Sequence, residues 1–190
     1  MQKKKGSILF GFLCVALILL TACSVGGKDV VVTCDGYEIK LGKTTVGDLK
    51  EAGFTNEYAD IEETTLDSMT WDSFYAMKDG DSYGTMDVGN KKSSRIEFNK
   101  AVIFEISLSY NDPEISVGEV LVNGVNFEGY TREQVKEAMG DATITLDDEQ
   151  YDYLDFEIGK YDYTFVFEDG SETLTGLWIN DGTETELNIN

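Results

Sequence analysis

The sequence predicts an α+β fold in which one unit occurs twice: a tight hairpin, a short helix, then a four-stranded antiparallel meander. Three observations carry the expectation. Turn dipeptides punctuate apolar runs along the whole chain. Two capped helical segments, at Thr45 and Thr131, stand 86 residues apart, and the turns ahead of them, at Asp35 and Asn123, stand 88 apart. Each helix is followed by stretches of strand length broken at Gly or Asn.

The elements follow in order. Asp35-Gly36 closes the first hairpin, and Thr45 with Asp48 opens the first helix through Leu49. Four strands are expected next, at Met69–Met77, Ser82–Asp87, Ser93–Phe98 and Ala101–Tyr110. In the last of these Val102, Phe104, Ile106, Leu108 and Tyr110 alternate onto one face. Asn111-Asp112-Pro113-Glu114, which holds the single proline, separates the units. Asn123-Gly124 closes the second hairpin, and Thr131 with Gln134 forms a capping box ahead of Val135. The second meander is expected at Tyr151–Ile158, Tyr161–Glu168, Glu172–Asn180 and Thr183–Ile189. A Gly159-Lys160 loop sets Ile158 opposite Tyr161, Phe156 opposite Tyr163 and Leu154 opposite Phe165, an apolar face containing the stripe Tyr161, Tyr163, Phe165, Phe167. The other face then sets Glu157 against Asp162 and Asp155 against Thr164. Like charges directly opposite destabilise a sheet. That face is either merely solvated or kept acidic for a cation or a basic partner.

Residues 1–22 read as a leader. Met1–Gly6 is basic, Ser7–Leu20 is apolar and too short to span a bilayer, and Leu20-Thr21-Ala22-Cys23 follows. This ending resembles the lipobox of bacterial lipoproteins. The resemblance implies cleavage before Cys23, acylation of Cys23 and an extracytoplasmic, membrane-anchored protein. The expected division is leader 1–22, tether 23–29, first unit 30–112 and second unit 113–190. Cys34 is then the lone thiol, a small buried hydrophobe rather than a nucleophile.

Charge bounds the function. The 190 residues carry −21. Residues 23–190 hold 36 acidic and 12 basic side chains, a charge of −24. Such a chain repels phosphate backbones, so no nucleic acid is expected as partner. The absence of histidine removes imidazole bases and His-ligated zinc. Leu, Ile, Val and Phe supply 41 of the 168 residues, above the roughly one-fifth of disordered chains. Residues 23–100 carry −6 and residues 101–190 carry −18, with Lys78, Lys91, Lys92, Arg95 and Lys100 gathered in the first half.

Gly129-Tyr130-Thr131-Arg132-Glu133-Gln134-Val135 followed by Gly140 resembles the Gly-x-Thr-x-x-x-Val…Gly helix of small envelope lipoproteins of the BamE type. The paired units also resemble the β-lactamase inhibitor protein. Asp141-Ala142 stands where those families carry proline. The resemblance implies a binding or scaffolding module without catalysis. No metal or other cofactor is expected. The stretch from Asp79 to Asn90 fits a calcium loop at positions 1, 3, 6 and 9, but Tyr83 and Asn90 break it at 5 and 12.

The expected function is non-catalytic binding of a protein partner with a basic surface, through Glu157, Asp162 and Asp155. Capture of divalent cations or a basic small ligand is the first alternative. A hydrolase using carboxylates, with candidates in Asp147-Asp148-Glu149 and in Asp152, Asp155 and Glu157, is the second.

Overall fold

The computed structural model describes residues 29–56, 65–111, 117–148, 152–167 and 171–189. The leader, Cys23 and the tether up to residue 28 lie outside the described residues, as does most of the expected boundary around Pro113.

The chain opens with β1 (Val31–Cys34) and β2 (Tyr37–Lys40), joined at Asp35-Gly36. Both turn residues take positive φ, 46° and 75°, the primed turn that matches strand twist. Helix α1 (Val46–Glu51) starts at a reciprocal capping box between Thr45 and Asp48 and buries Val46 and Leu49. After β3 (Thr55–Asn56) and β4 (Thr65–Leu66) come the long hairpin strands β5 (Thr70–Lys78) and β6 (Asp81–Asn90). The two-residue strand β7 (Ile96–Glu97), a single 3-10 turn at Phe98–Lys100 and β8 (Val102–Ser109) complete the first half.

The second half runs β9 (Val120–Val122), α2 (Arg132–Met139), β10 (Thr143–Asp148), β11 (Tyr153–Ile158), β12 (Tyr161–Val166), β13 (Gly176–Asn180) and β14 (Asn188–Ile189). Helix α2 has its own capping box, Thr131 with Gln134, and buries Val135 and Met139. Among the described residues no helix is long and apolar enough to cross a membrane.

The α+β expectation of two units, each with a four-stranded meander, is overturned. Among the described residues strand outweighs helix by 52% to 14%, and the strands form large antiparallel sheets shared between the halves. One sheet follows the path β10-β11-β12-β13-β8-β6-β5-β14, with β3 also on β5. The link between halves is β13 against β8, antiparallel from Gly176↔Ser109 to Asn180↔Glu105. A second sheet, β2-β1-β9, also mixes them, because β9 pairs with β1. Asn123-Gly124 makes its turn, but Val125 contributes a single bridge to Val122 instead of a returning strand.

The departures have physical causes. Ser93–Phe98 shrinks to β7 because Asn90 draws the chain out of the sheet. Its amide nitrogen donates to the carbonyls of Leu66, Asp67 and Ser94. Thr183–Ile189 is not an antiparallel fourth strand. The Asp181 N–H donates to the Phe104 carbonyl, a 3-10 turn follows at Thr183–Glu186, and β14 pairs in parallel with the outer edge of β5. The strand beside β11 is instead β10, which begins just after α2. Val102, Phe104, Ile106, Leu108 and Tyr110 do not share a face. A bulge between β6 and β8 at Asp87/Val88 turns Ile103, Ile106 and Leu108 inward. Phe104 instead meets Trp71 edge-on, at 6.2 Å, on the other side.

The core lies between the inner face of the large sheet, the two helices and the small sheet. Leu154, Phe156, Tyr163, Phe165, Leu177, Ile179, Ile106 and Met86 form its floor, all buried. Phe127 closes over it 5.1 Å from Phe165. Arg132 and Lys136 of α2 reach Asp147 of β10 at 2.8 Å each, fixing the helix across that end. The β11–β12 register is the expected one, from Ile158↔Tyr161 to Leu154↔Phe165.

Candidate functional site on the open sheet face

Strand alternation sends every second side chain of the large sheet away from the core. Across the seven strands from β10 to β5 successive pairings connect outward residues into rows, with bulges at Ile144/Leu146, Asp87/Val88 and Tyr75/Met77. One row reads Leu146, Asp155, Thr164, Trp178, Ser107, Thr85, Tyr75. The next reads Thr143, Glu157, Asp162, Asn180, Glu105, Asp87, Ser73. At roughly 4.8 Å between strands, each row is about 29 Å long.

The second row is acidic along most of its length. Glu157 and Asp162 are directly opposite one another and both exposed. Asn180 separates them from Glu105, which faces Asp87 on β6. Hydroxyls steady the inner pair. Ser73 donates to Asp87 at 2.6 Å, and Ser107 donates to Glu105 at 3.2 Å.

The first row is amphipathic. Trp178, Tyr75 and Leu146 are the exposed large apolar side chains on it, at 42%, 37% and 40%. Trp178 and Tyr75 flank a shallow groove floored by Thr85, Ser107 and Gly84. Gly84 has φ +93°, and a Cβ there would come within 2.4 Å of the Ser107 carbonyl, so β6 approaches β8 this closely only with glycine. Tyr153 reaches over β12 to pair with Trp178, ring centroids 6.1 Å apart.

Asp155 sits between the rows in character. One of its carboxylate oxygens is buried without a hydrogen-bond partner. Burial pushes its carboxyl above the usual carboxylate range. A hydrogen bond from Thr164 opposes the shift, and the Asp162 charge adds to it.

All three sequence-expected residues, Glu157, Asp162 and Asp155, thus come together on one face, which no described element covers at these positions. Sequence reading missed Glu105, Asp87, Trp178 and Tyr75. Their outward positions are legible from alternation, since Trp178 stands between inward Leu177 and Ile179. Their alignment depends on β13 joining β8, which no local pattern announces.

The other expected chemistry is placed as follows. Asp79-Gly80 is a two-residue primed turn, φ 54° and 96°, and Asp81 to Asn90 form the single strand β6, so Asp81, Gly84 and Asp87 are strung along an extended strand instead of around a loop. Among the described residues no three His, Cys, Asp or Glu side chains converge as a metal would require. Asp147, a candidate acid, is tied to Lys136 and Arg132, and the Lys136 hydrogen bond leads in holding its pKa below the usual value. Cys34 is fully buried, and burial pushes its thiol up to about 12. No family model matches the chain, and neither does any curated protein or solved structure.

Proposed function

We propose that this chain is a non-catalytic binding module, held at the outer side of a bacterial membrane by lipid on Cys23, that engages a protein with a basic surface. The observation that carries the reading is the in-register acidic row Glu157, Asp162, Glu105, Asp87 beside exposed Trp178 on an uncovered sheet face. The two rows divide the work. Carboxylates raise the rate of encounter with a cationic partner and choose among partners. Aromatic side chains such as Trp178 and Tyr75 supply the contact area that holds a complex together. The lipobox resemblance at Leu20-Thr21-Ala22-Cys23 supports the anchor. Mass spectrometry of the mature N-terminus tests it: an unmodified terminus elsewhere refutes it.

The binding reading is tested by pull-down from envelope extract at low and physiological salt. Wild type is compared with a Glu157→Gln/Asp162→Asn variant and with Trp178→Ala. The charge variant should lose partners and salt sensitivity together, since exposed charges are screened over about 8 Å at physiological salt. Trp178→Ala should weaken the same partners by on the order of tenfold. The same partners at unchanged yield and salt dependence from all three proteins would sink the proposal.

A further inference from the structure

Beyond the open face, at the end where the chain after β13 crosses the sheet, lies a cleft of about 240 Å³ with the opposite charge. Lys91, Lys92, Lys100 and Lys160 line it, against one carboxylate, that of Asp181, among the described lining residues. Residues 23–190 carry −24, yet a third of their 12 cationic side chains meet here. They come from both halves of the sequence. The floor is apolar, with Val102, Phe104 and Ile96.

The cleft is held in shape. Asn90, 1% exposed, donates to three carbonyls and accepts the Lys92 N–H at 3.0 Å, which fixes the loop carrying Lys91 and Lys92. Lys100 ends a 3-10 turn whose first residue, Phe98, is buried. The Asp181 side chain, 2% exposed, accepts the Thr183 N–H at 3.0 Å and the Lys160 ammonium at 2.9 Å. It packs over Gly42, where a Cβ would come within 2.6 Å of its carboxylate. Lys160 is therefore committed to Asp181. Lys91 and Lys100 have exposed partners, Glu186 at 3.1 Å and Glu97 at 3.0 Å, which are weak surface pairs that an arriving anion exchanges readily. Lys92 has no ion-pair partner among the described residues.

We propose that this cleft binds a phosphate group attached to a small three-carbon body of the glycerol type. The ammonium groups of Lys91, Lys92 and Lys100 take the phosphate oxygens, and Phe104 and Val102 take the adjoining carbons. Three donors from two segments, the Lys91-Lys92 loop and the 3-10 turn that ends at Lys100, suit a compact anion with several oxygens better than a lone carboxylate. The phosphate source is either a soluble ester or a phospholipid headgroup. Asp29, the first described residue, bonds Lys43 at 2.8 Å, next in sequence to Gly42 of the cleft lining. With an anchor at Cys23, the cleft stands within about 20 Å of the bilayer, which favours the headgroup. That preference rests on the anchor proposed above; the phosphate site itself does not, and it uses none of the acidic rows.

The full-length protein in neutral detergent micelles provides the test. Calorimetry with glycerol 3-phosphate reads the soluble source. Tryptophan emission on doping the micelles with phosphatidylglycerol or phosphatidylcholine reads the headgroup, because Trp71 rests on Phe104. Saturable binding of glycerol 3-phosphate alone assigns a soluble ester. A response to phosphatidylglycerol with less to phosphatidylcholine assigns the headgroup. In either case Lys91→Gln/Lys92→Gln should weaken binding by about tenfold or more, and Lys136→Gln should leave it unchanged. The site is refuted if neither probe binds, if both lipids act alike without glycerol 3-phosphate binding, or if the Lys91/Lys92 variant binds no worse than the Lys136 variant.

Discussion

Asp155 stores a conflict between folding and binding. Its raised pKa means that the folded state holds the proton more firmly than the unfolded chain does. The sign follows. Below the unfolded carboxylate value both states are protonated and the penalty is absent. As pH rises from there through the raised folded value, stability is lost. Asp155→Asn should therefore raise the thermal midpoint at pH 7 by a few degrees, roughly 2–4 °C, and change it little near pH 3. Differential scanning calorimetry at both values checks this; a lower midpoint at pH 7 would show the carboxylate to be stabilising. The alternation in Tyr161–Phe167 made the facing of Asp155, Glu157 and Asp162 readable from sequence. The burial of one Asp155 oxygen was not readable, because it depends on side chains of neighbouring strands.

At the scale of elements, the helices were the most legible parts. Thr45 and Thr131 announce themselves by a hydroxyl and, three residues on, a side chain that reaches back. Leu49 and Val135 then fall one turn inside, and both are buried, at 2% and 0%. Leu49→Ala should cost about 2–4 kcal/mol, and Val135→Ala somewhat less. Urea titration followed by circular dichroism reads both, and a loss below about 0.5 kcal/mol at either site would contradict its place in the core. Strand partners were less legible than strands. Turn dipeptides specify neighbours joined by two residues, as at Asp79-Gly80 and Gly159-Lys160. They are silent on β1 with β9, β13 with β8 and β14 with β5, where the paired residues are far apart in sequence. The bulge opposite Asp87/Val88 broke the alternation of β8 for the same reason: a one-residue offset is set by the partner strand.

For the whole molecule, the shared sheets make folding a joint undertaking of the two halves. Residues 30–112 alone would expose β8 where β13 belongs, and β1 would lose β9. Expressed separately, 30–112 and 113–190 should each lack dispersed amide proton spectra, and mixing should recover them in part; two independently folded fragments would contradict this. The large sheet also ends at β10, which has no partner on its far side among the described residues. Its Ile144 and Leu146 are exposed, at 47% and 40%, a combination that invites another copy to add a strand. Asp147 and Asp148 close this edge, next to the bulge at Ile144/Leu146. The negative surplus then acts as a solubility guard as well as a lure, since each molecule repels its twin before the edges meet. Acidification through the carboxylate range should remove that guard while the sheet is still folded, and light scattering should record self-association beginning there and receding with Leu146→Lys.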